Sequence, residues 1–87
     1  MKNFSVSLLG KAQDWFDDCR DAKLKLRIRD AIDALAVNPR PSGCVKLAGE
    51  EIVWRVRVGS YRILYEIHEG RLVVLVIRIA HRREVYR

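Results

Sequence analysis

The chain has little cysteine and no long apolar run, and each shortage excludes a class of protein. Its two cysteines, Cys19 and Cys44, are isolated, with no Cys-x-x-Cys pair and no histidine at metal-ligand spacing. Isolated thiols of this kind are expected to stay reduced, so the sequence predicts neither a disulfide scaffold nor a metal site. No run of about 18 apolar residues is present, which excludes a predicted transmembrane helix.

Targeting segments, internal repeats and interdomain linkers are also missing. Residues 1–5 lack the apolar segment of a signal peptide, so we expect a cytoplasmic protein with no membrane partner. The length of 87 residues suits one small core and not two. The sequence therefore predicts a single domain over residues 1–87.

Positive charge is what the chain has in excess, and it is unevenly placed. The formal net charge is +6, and residues 39–87 hold ten of the Lys and Arg residues against five Glu. Nine of those ten are arginine. Because the planar guanidinium group binds phosphate with two parallel hydrogen bonds, this half of the chain suggests a polyanionic partner. Nucleic acid is the first candidate and an acidic protein the second.

Hydrophobic spacing in the first half predicts one strand and two helices. Apolar residues alternate with polar ones over 4–8, which indicates a short strand. Spacing of i, i+3, i+4 and i+7 predicts a helix over 10–19 and, after a break near 20–21, a second helix along 24–35. This helix is expected to end at Asn38-Pro39, because proline cannot continue a helix. The two helices together form a predicted α-hairpin.

The second half predicts a run of strands. Alternation indicates strands at 52–58 and 61–67, whereas 45–49 fits either a short strand or a bend. Residues 72–80 are nearly all apolar and are expected to form a central strand that is buried on both faces. The predicted fold is α+β, in the order β-α-α-β-β-β. One face of a small, mostly antiparallel sheet packs on the α-hairpin, and the other face is open.

The most informative feature is a predicted hairpin that stacks arginines on this open face. A two-residue turn at Gly59-Ser60 would place Arg57 opposite Arg62 and would bring Arg55 to the same side. Like charges that lie directly opposite each other cost stability. We therefore interpret the three arginines as an anion-binding surface, in preference to an ordinary solvated face.

Five motifs occur in a characteristic order along almost the whole chain. They are an α-hairpin ending in Asn38-Pro39, then Lys46-Leu47-x-Gly49, Trp54-Arg55-Val56-Arg57, Gly59-x-Tyr61-Arg62-Ile63-x-Tyr65 and His81-Arg82-Arg83-Glu84-Val85-Tyr86. In this order and spacing, the chain resembles the RelE/ParE superfamily of bacterial toxins from type II toxin–antitoxin pairs, and RelE-like members above all. The resemblance implies a RelE-like fold.

For function, the resemblance implies a ribosome-dependent endoribonuclease, or mRNA interferase, that inhibits translation. Such toxins cut mRNA in the ribosomal A site, where a 2′-hydroxyl attacks the adjacent phosphate without a metal or any other cofactor. The protein must then supply the positive charge that a cation would otherwise provide. The implied partners are the ribosome with mRNA and a small acidic antitoxin, and operator DNA is reached only through that antitoxin.

The resemblance also implies roles for individual residues. Lys46, Arg55 and Arg57 match positions that bind the RNA backbone. Arg62 matches the arginine that contacts the scissile phosphate, and Arg82 matches one that stabilises the transition state. Tyr86 matches a C-terminal tyrosine that orients or activates the nucleophile and stacks on a base.

One departure from the family pattern moves the expected site of proton transfer. Positions 55 and 57 are lysine in the best-known member and arginine here, and arginine is in effect always protonated. Proton transfer is therefore expected at His81, because imidazole is the side-chain group most often used for this purpose, or at Tyr86.

Two other functions remain open at this point. One is a ParE-like toxin that binds and inhibits DNA gyrase without cleaving anything, and the other is a non-catalytic relic that only binds its antitoxin. The combined set of four arginines and Tyr86 favours the ribonuclease, because a gyrase binder does not need it.

Overall fold

Two helices form a hairpin whose ends follow from local sequence signals. The computed structural model describes residues 3–49 and 51–82 and contains helices α1 (Gly10–Asp18) and α2 (Ala22–Val37). The carboxylate of Asp21 caps α2 by accepting a hydrogen bond of 3.1 Å from the Leu24 amide. At the other end, Pro39 cannot continue the helix. Both predicted helices and the break between them are confirmed.

Five strands form one mixed sheet beside the helices. They are β1 (Ser5–Leu8), β2 (Val45–Lys46), β3 (Val53–Val58), β4 (Tyr61–His68) and β5 (Val73–His81). Their order across the sheet is β1-β5-β4-β3-β2, with β1 parallel to β5 and every other pair antiparallel. The strand β4 therefore lies at the centre, and the hairpin of β3 and β4 occupies the middle of the sheet.

The predicted α+β fold is confirmed, with two differences in the strands. Segment 45–49 contains the short strand β2, which adds a fifth strand to the predicted order. The strand β5 is not buried on both faces: Val74 and Val76 are fully buried, whereas Val73 and Leu75 are half-buried. Because both helices pack on one side of the sheet, no element within the described residues covers the other side of β5.

The hydrophobic core lies between the α-hairpin and one face of the sheet. Helix α2 contributes Ile28, Ile32 and Leu35, and β4 contributes Ile63, Tyr65 and Ile67. The spacing of each set gives one stripe on the helix and one face of the strand. The sheet is therefore fixed from the helix side, which leaves the opposite side available for a functional surface.

Tyr65 links this core to the end of α2. Its ring is fully buried, and its hydroxyl donates a hydrogen bond of 2.7 Å to the carbonyl oxygen of Pro39. Desolvation, followed by the neighbouring Cys44, raises the pKa of Tyr65 far above its usual range. The phenol is therefore held in its neutral form, as a buried hydrogen-bond donor.

Neither helix in the part of the chain that the structure describes is long and apolar enough to cross a membrane.

Candidate functional site

The β3–β4 hairpin has the register that the sequence predicts. Gly59 and Ser60 form the turn, and Gly59 has a φ of 59°, in the left-handed region that glycine enters without strain. Across the hairpin, Val58 lies opposite Tyr61, Arg57 opposite Arg62 and Arg55 opposite Leu64. Opposed residues share a face, so three arginines point away from the helices.

A fourth arginine joins these three at the turn end of the sheet. The backbone N–H of Arg82 donates a hydrogen bond of 2.8 Å to the carbonyl oxygen of Ser60, which holds Arg82 beside the turn. On β5, Ala80 lies opposite Arg62, and Arg82 is two residues further along on the same side. We call Arg55, Arg57, Arg62 and Arg82 the arginine face.

Arg62 occupies the middle of the arginine face and is buried like a core residue. It is 6% exposed, between Arg57 on β3 and the small side chain of Ala80 on β5. Its Nε is buried and has no hydrogen-bond partner. A buried donor without a partner costs about 1–3 kcal/mol, so this unpaired Nε lowers the free energy of unfolding of the free protein.

The surroundings of Arg62 disfavour its charge. Burial is the main cause that lowers its pKa, followed by the charges of Arg57, Arg55 and Arg82. Within residues 3–49 and 51–82, the ion pairs join Arg29 to Asp33, Arg40 to Glu69 and His68 to Glu66. None of these carboxylates neutralises Arg62, and a bound anion would relieve both the repulsion and the unpaired donor.

The structure does not bring Lys46 or His81 to the arginine face. Lys46 lies opposite Trp54, whose ring is on the helix-facing side. His81 lies opposite Tyr61 and makes an edge contact with its ring, at 5.6 Å between centroids. Trp15 contacts the same tyrosine at 5.7 Å. His81 therefore extends an aromatic stack on the side of the sheet that faces the α-hairpin.

Tyr86 lies outside the residues that the structure describes, so its predicted role stays a prediction. A further arginine, Arg78, is not among the site residues that the sequence predicts. It lies on the open side, opposite Leu64 and half-buried. Its even spacing from Ala80 and Arg82 is the sequence signal that could have placed it there.

No group of three or more His, Cys, Asp or Glu side chains within the described ranges is arranged to hold a metal ion. Near the hairpin turn, the open face offers guanidinium groups, which can bind phosphates and stabilise negative charge. Further along β4, the same face carries Glu66 and His68, which contact each other at 2.8 Å.

Comparison with known proteins identifies the class to which this fold belongs. Among solved structures, the chain is similar to the archaeal RelE–RelB complex from Pyrococcus horikoshii, with a TM-score of 0.79 and 21% identity over 98% of this chain and 100% of that one. It is also similar to the RelBE2 toxin–antitoxin complex of Mycobacterium tuberculosis, with a TM-score of 0.78 and 20% identity over 91% and 98% of the two chains. The fold is that of a RelE-type toxin.

Sequence comparison then gives the family. The profile of the family described as "ParE toxin of type II toxin-antitoxin system, parDE" matches residues 6–86, and the chain belongs to this family. It is also 25% identical to the "Putative toxin RelE1" of Methanocaldococcus jannaschii over 87 residues, which cover 97% of this chain and 96% of that protein. The resemblance to the RelE/ParE superfamily is confirmed, and the protein is a type II toxin.

Proposed function

We propose that this toxin is a ribosome-dependent endoribonuclease that cleaves mRNA in the A site and thereby inhibits translation in the cytoplasm. The observation that carries the proposal is the buried Arg62, whose Nε has no hydrogen-bond partner and whose pKa is lowered by burial and by the charges of Arg57, Arg55 and Arg82. A fold tolerates such a group when a ligand of opposite charge occupies the site. Four arginines on one side of the sheet can contact successive phosphates of a single RNA strand.

In the proposed reaction, the 2′-oxygen of one nucleotide attacks the adjacent phosphorus in line. The bond from phosphorus to the 5′-oxygen breaks, and the 2′-hydroxyl proton is removed while the leaving oxygen gains a proton. Arg62 and Arg82 balance the charge that develops on the phosphorane oxygens. Arg55 and Arg57 hold the flanking phosphates and keep the attacking and leaving oxygens aligned. The chemistry as proposed needs neither a metal nor another cofactor.

Proton transfer is assigned to Tyr86 in this proposal. Arginine keeps its proton at all relevant pH values, so the arginine face cannot act as the base. The edge contact between His81 and Tyr61 supports a packing role for His81, because the ring lies on the opposite side of the sheet from Arg62. For the same reason, Lys46 is left out of the proposed substrate contacts.

The second proposed partner of the arginine face is the cognate antitoxin. Solved relatives include RelB–RelE complexes, which supports an antitoxin partner for this toxin. An acidic antitoxin segment that covers the arginine face would place carboxylates beside Arg62 and would block RNA. Contact with operator DNA would then occur only through the antitoxin.

Induction of the toxin in cells, followed by primer extension on mRNA and by analysis of plasmid topology, tests the proposed function. We expect new mRNA 5′-ends within codons, early arrest of translation and unchanged supercoiling. Single-turnover cleavage on programmed ribosomes then separates the roles. Arg62→Ala and Arg82→Ala should lose most activity, Tyr86→Phe should lose proton chemistry but keep base stacking, and His81→Gln should have a mild effect.

Inhibition of DNA gyrase is the second candidate, and the description of the matching family as ParE toxins favours it. Altered plasmid topology with intact mRNA would establish this function in place of cleavage. Intact mRNA and unchanged topology, in cells that nevertheless retain the antitoxin complex, would identify a relic that only binds its antitoxin.

A further inference from the structure

A second basic site lies around the hairpin turn, on the helix side of the sheet. A cavity of about 450 Å³ opens there between the start of α2 and the turn. Its polar lining consists of Lys23 and Arg27 from α2, Ser60 from the turn and Asp21. The Asp21 carboxylate caps the helix by accepting a hydrogen bond from the Leu24 amide, and it keeps its negative charge. The two cations therefore leave the lining with a net charge of +1, and they and the Ser60 hydroxyl are the groups that can donate to an anionic ligand.

The position of Arg27 depends on a close approach to the turn. A Cβ atom at position 59 would lie 3.2 Å from Nη2 of Arg27 and 3.6 Å from Nη1, so the guanidinium rests directly against Gly59. Lys23 lies one helical turn earlier on the same side of α2. A like-charged pair at this spacing is destabilising. No carboxylate forms an ion pair with Lys23 or Arg27 in the part of the chain that is described.

This site is continuous with the arginine face across the two-residue turn. Arg57 is two residues before Gly59 on the open side, and Arg82 is bonded through its backbone to Ser60. Arg27 contacts the same turn from the helix side. Cations therefore flank the turn on both sides of the sheet, along a path that one flexible strand could follow.

We propose that Lys23, Arg27 and the Ser60 hydroxyl bind a phosphodiester group of the RNA that extends beyond the arginine face and bends over the hairpin turn. This inference rests on the proposed function in taking RNA as the ligand. Leu24, Val58 and Tyr61 form an apolar wall beside the cations. Such a wall can pack against the ribose and base that are linked to every phosphate of RNA. The carboxylates of an acidic peptide have no such group at regular intervals.

The test uses binding of the full chain to a fluorescent, 2′-O-methylated 12-nucleotide RNA, which cannot be cleaved. The variant is Lys23→Gln combined with Arg27→Gln. Its matched control is Lys25→Gln combined with Arg29→Gln, which removes the same charge from the same helix on the side that faces Phe16. Affinities are measured by anisotropy between 50 and 200 mM salt.

Loss of one phosphate contact should reduce the slope of log affinity against log salt by about 0.7 and weaken binding about fivefold at 0.1 M salt. We expect this loss for the variant and not for the control. Equal effects of both double substitutions would overturn the site, since they would show only general charge attraction. An unchanged slope for the variant would overturn it as well. If the double variant folds poorly, Lys23→Gln is measured alone, because position 23 does not contact Gly59. It should show part of the expected loss in slope and affinity.

Two further arms separate this inference from the proposed function. If the double variant loses as much affinity for a decaglutamate peptide as for the RNA, the site binds an acidic protein, and the proposed phosphodiester ligand is overturned. Cleavage on ribosomes is measured independently with Arg62→Ala. If the Lys23→Gln and Arg27→Gln double variant keeps the full salt slope while the wild type cleaves mRNA and Arg62→Ala does not, only the second site is refuted. If the double variant has a reduced slope but the wild type does not cleave mRNA, the second site is upheld and the ribonuclease is refuted.

Discussion

Burial of side chains has opposite effects on stability at the two faces of the sheet. On the helix-facing side, Ile63 and Tyr65 of β4 pack against α2, and every group that they bury is apolar or hydrogen-bonded. On the open side of the same strand, Arg62 is buried to a similar degree but faces other arginines and leaves its Nε unpaired. Burial stabilises the protein on one side and costs stability on the other.

This contrast teaches that burial alone does not define a core. The core on the helix-facing side is satisfied by its own contacts, whereas Arg62 on the open side buries an Nε that has no hydrogen-bond partner. A surface that is costly in the free protein is a better indication of function than a merely exposed one. Substitutions on the arginine face should therefore lower activity without lowering stability. Substitutions in the core should lower stability without lowering the activity of the folded protein.

The largest expected effect is on catalysis, from Arg62→Ala. Removal of a main counter-charge for the phosphorane should lower the single-turnover cleavage rate by about 10²–10³-fold. The free energy of unfolding should stay the same or rise slightly, because the repulsion from Arg57 is relieved. Thermal unfolding of the same preparations measures this second quantity.

Arg71→Ala, at the exposed turn before β5, is the matched control and should leave both quantities unchanged. A near wild-type cleavage rate for Arg62→Ala would mean that the arginine face binds only the antitoxin.

On the opposite face, Leu35→Ala should reverse this pattern. Leu35 is fully buried in the core between α2 and the sheet, so its truncation should lower the free energy of unfolding by about 2–5 kcal/mol. Chemical denaturation at constant m-value measures the loss. At a temperature where the variant is still folded, its cleavage rate should match that of the wild type. Leu26→Ala, at an exposed position of the same helix, should cost far less.

Tyr65→Phe tests the buried hydrogen bond and should show a dependence on pH. Below pH 10, loss of the bond to Pro39 should cost about 1–2 kcal/mol. Because the folded pKa of Tyr65 is raised above its unfolded value near 10, its stabilising contribution is present below that pH and is lost as the pH rises above it. The stabilities of wild type and variant should therefore converge above pH 10. A constant difference up to pH 11 would show that the phenol ionises normally.

The smallest expected effect comes from anions. Inorganic phosphate should raise the melting temperature of the wild type by more than chloride does at equal ionic strength, since a bound anion stabilises the folded state by mass action. The excess should vanish in Arg62→Met, which keeps most of the buried volume without the charge. Equal responses of wild type and variant would place the bound phosphate elsewhere on the basic surface.

Much of the fold and part of the arginine face followed from the sequence. The i, i+4 spacing along α2, the proline after it and the glycine at the hairpin turn are local signals, and each predicted its element. The same turn fixed the register and therefore the pairing of Arg57 with Arg62, because a two-residue loop permits only one alignment.

What could not be predicted depended on contacts between distant parts of the chain. The sequence does not reveal that Tyr61 lies opposite His81 and therefore that His81 is on the helix-facing side, and its role in proton transfer stays a prediction. Lys46 lies in a strand of two residues, too short for alternation to assign a side. The apolar run of β5 resembled a strand buried on both faces, since Val73 and Leu75 are hydrophobic although no described element covers them.

The two outermost strands of the sheet carry a consequence for how this toxin can change over time. The strand β1 pairs only with 73–76 of β5, and β2 pairs only with 54–55 of β3, so no described strand covers 56–58 or 77–81. Long exposed edges invite other chains to add strands and form aggregates, and charged side chains on an edge oppose this. The two uncovered segments carry Arg57 and Arg78, one on each side of the sheet's centre. A change of target that replaced these arginines by apolar residues would therefore also remove a protection against aggregation.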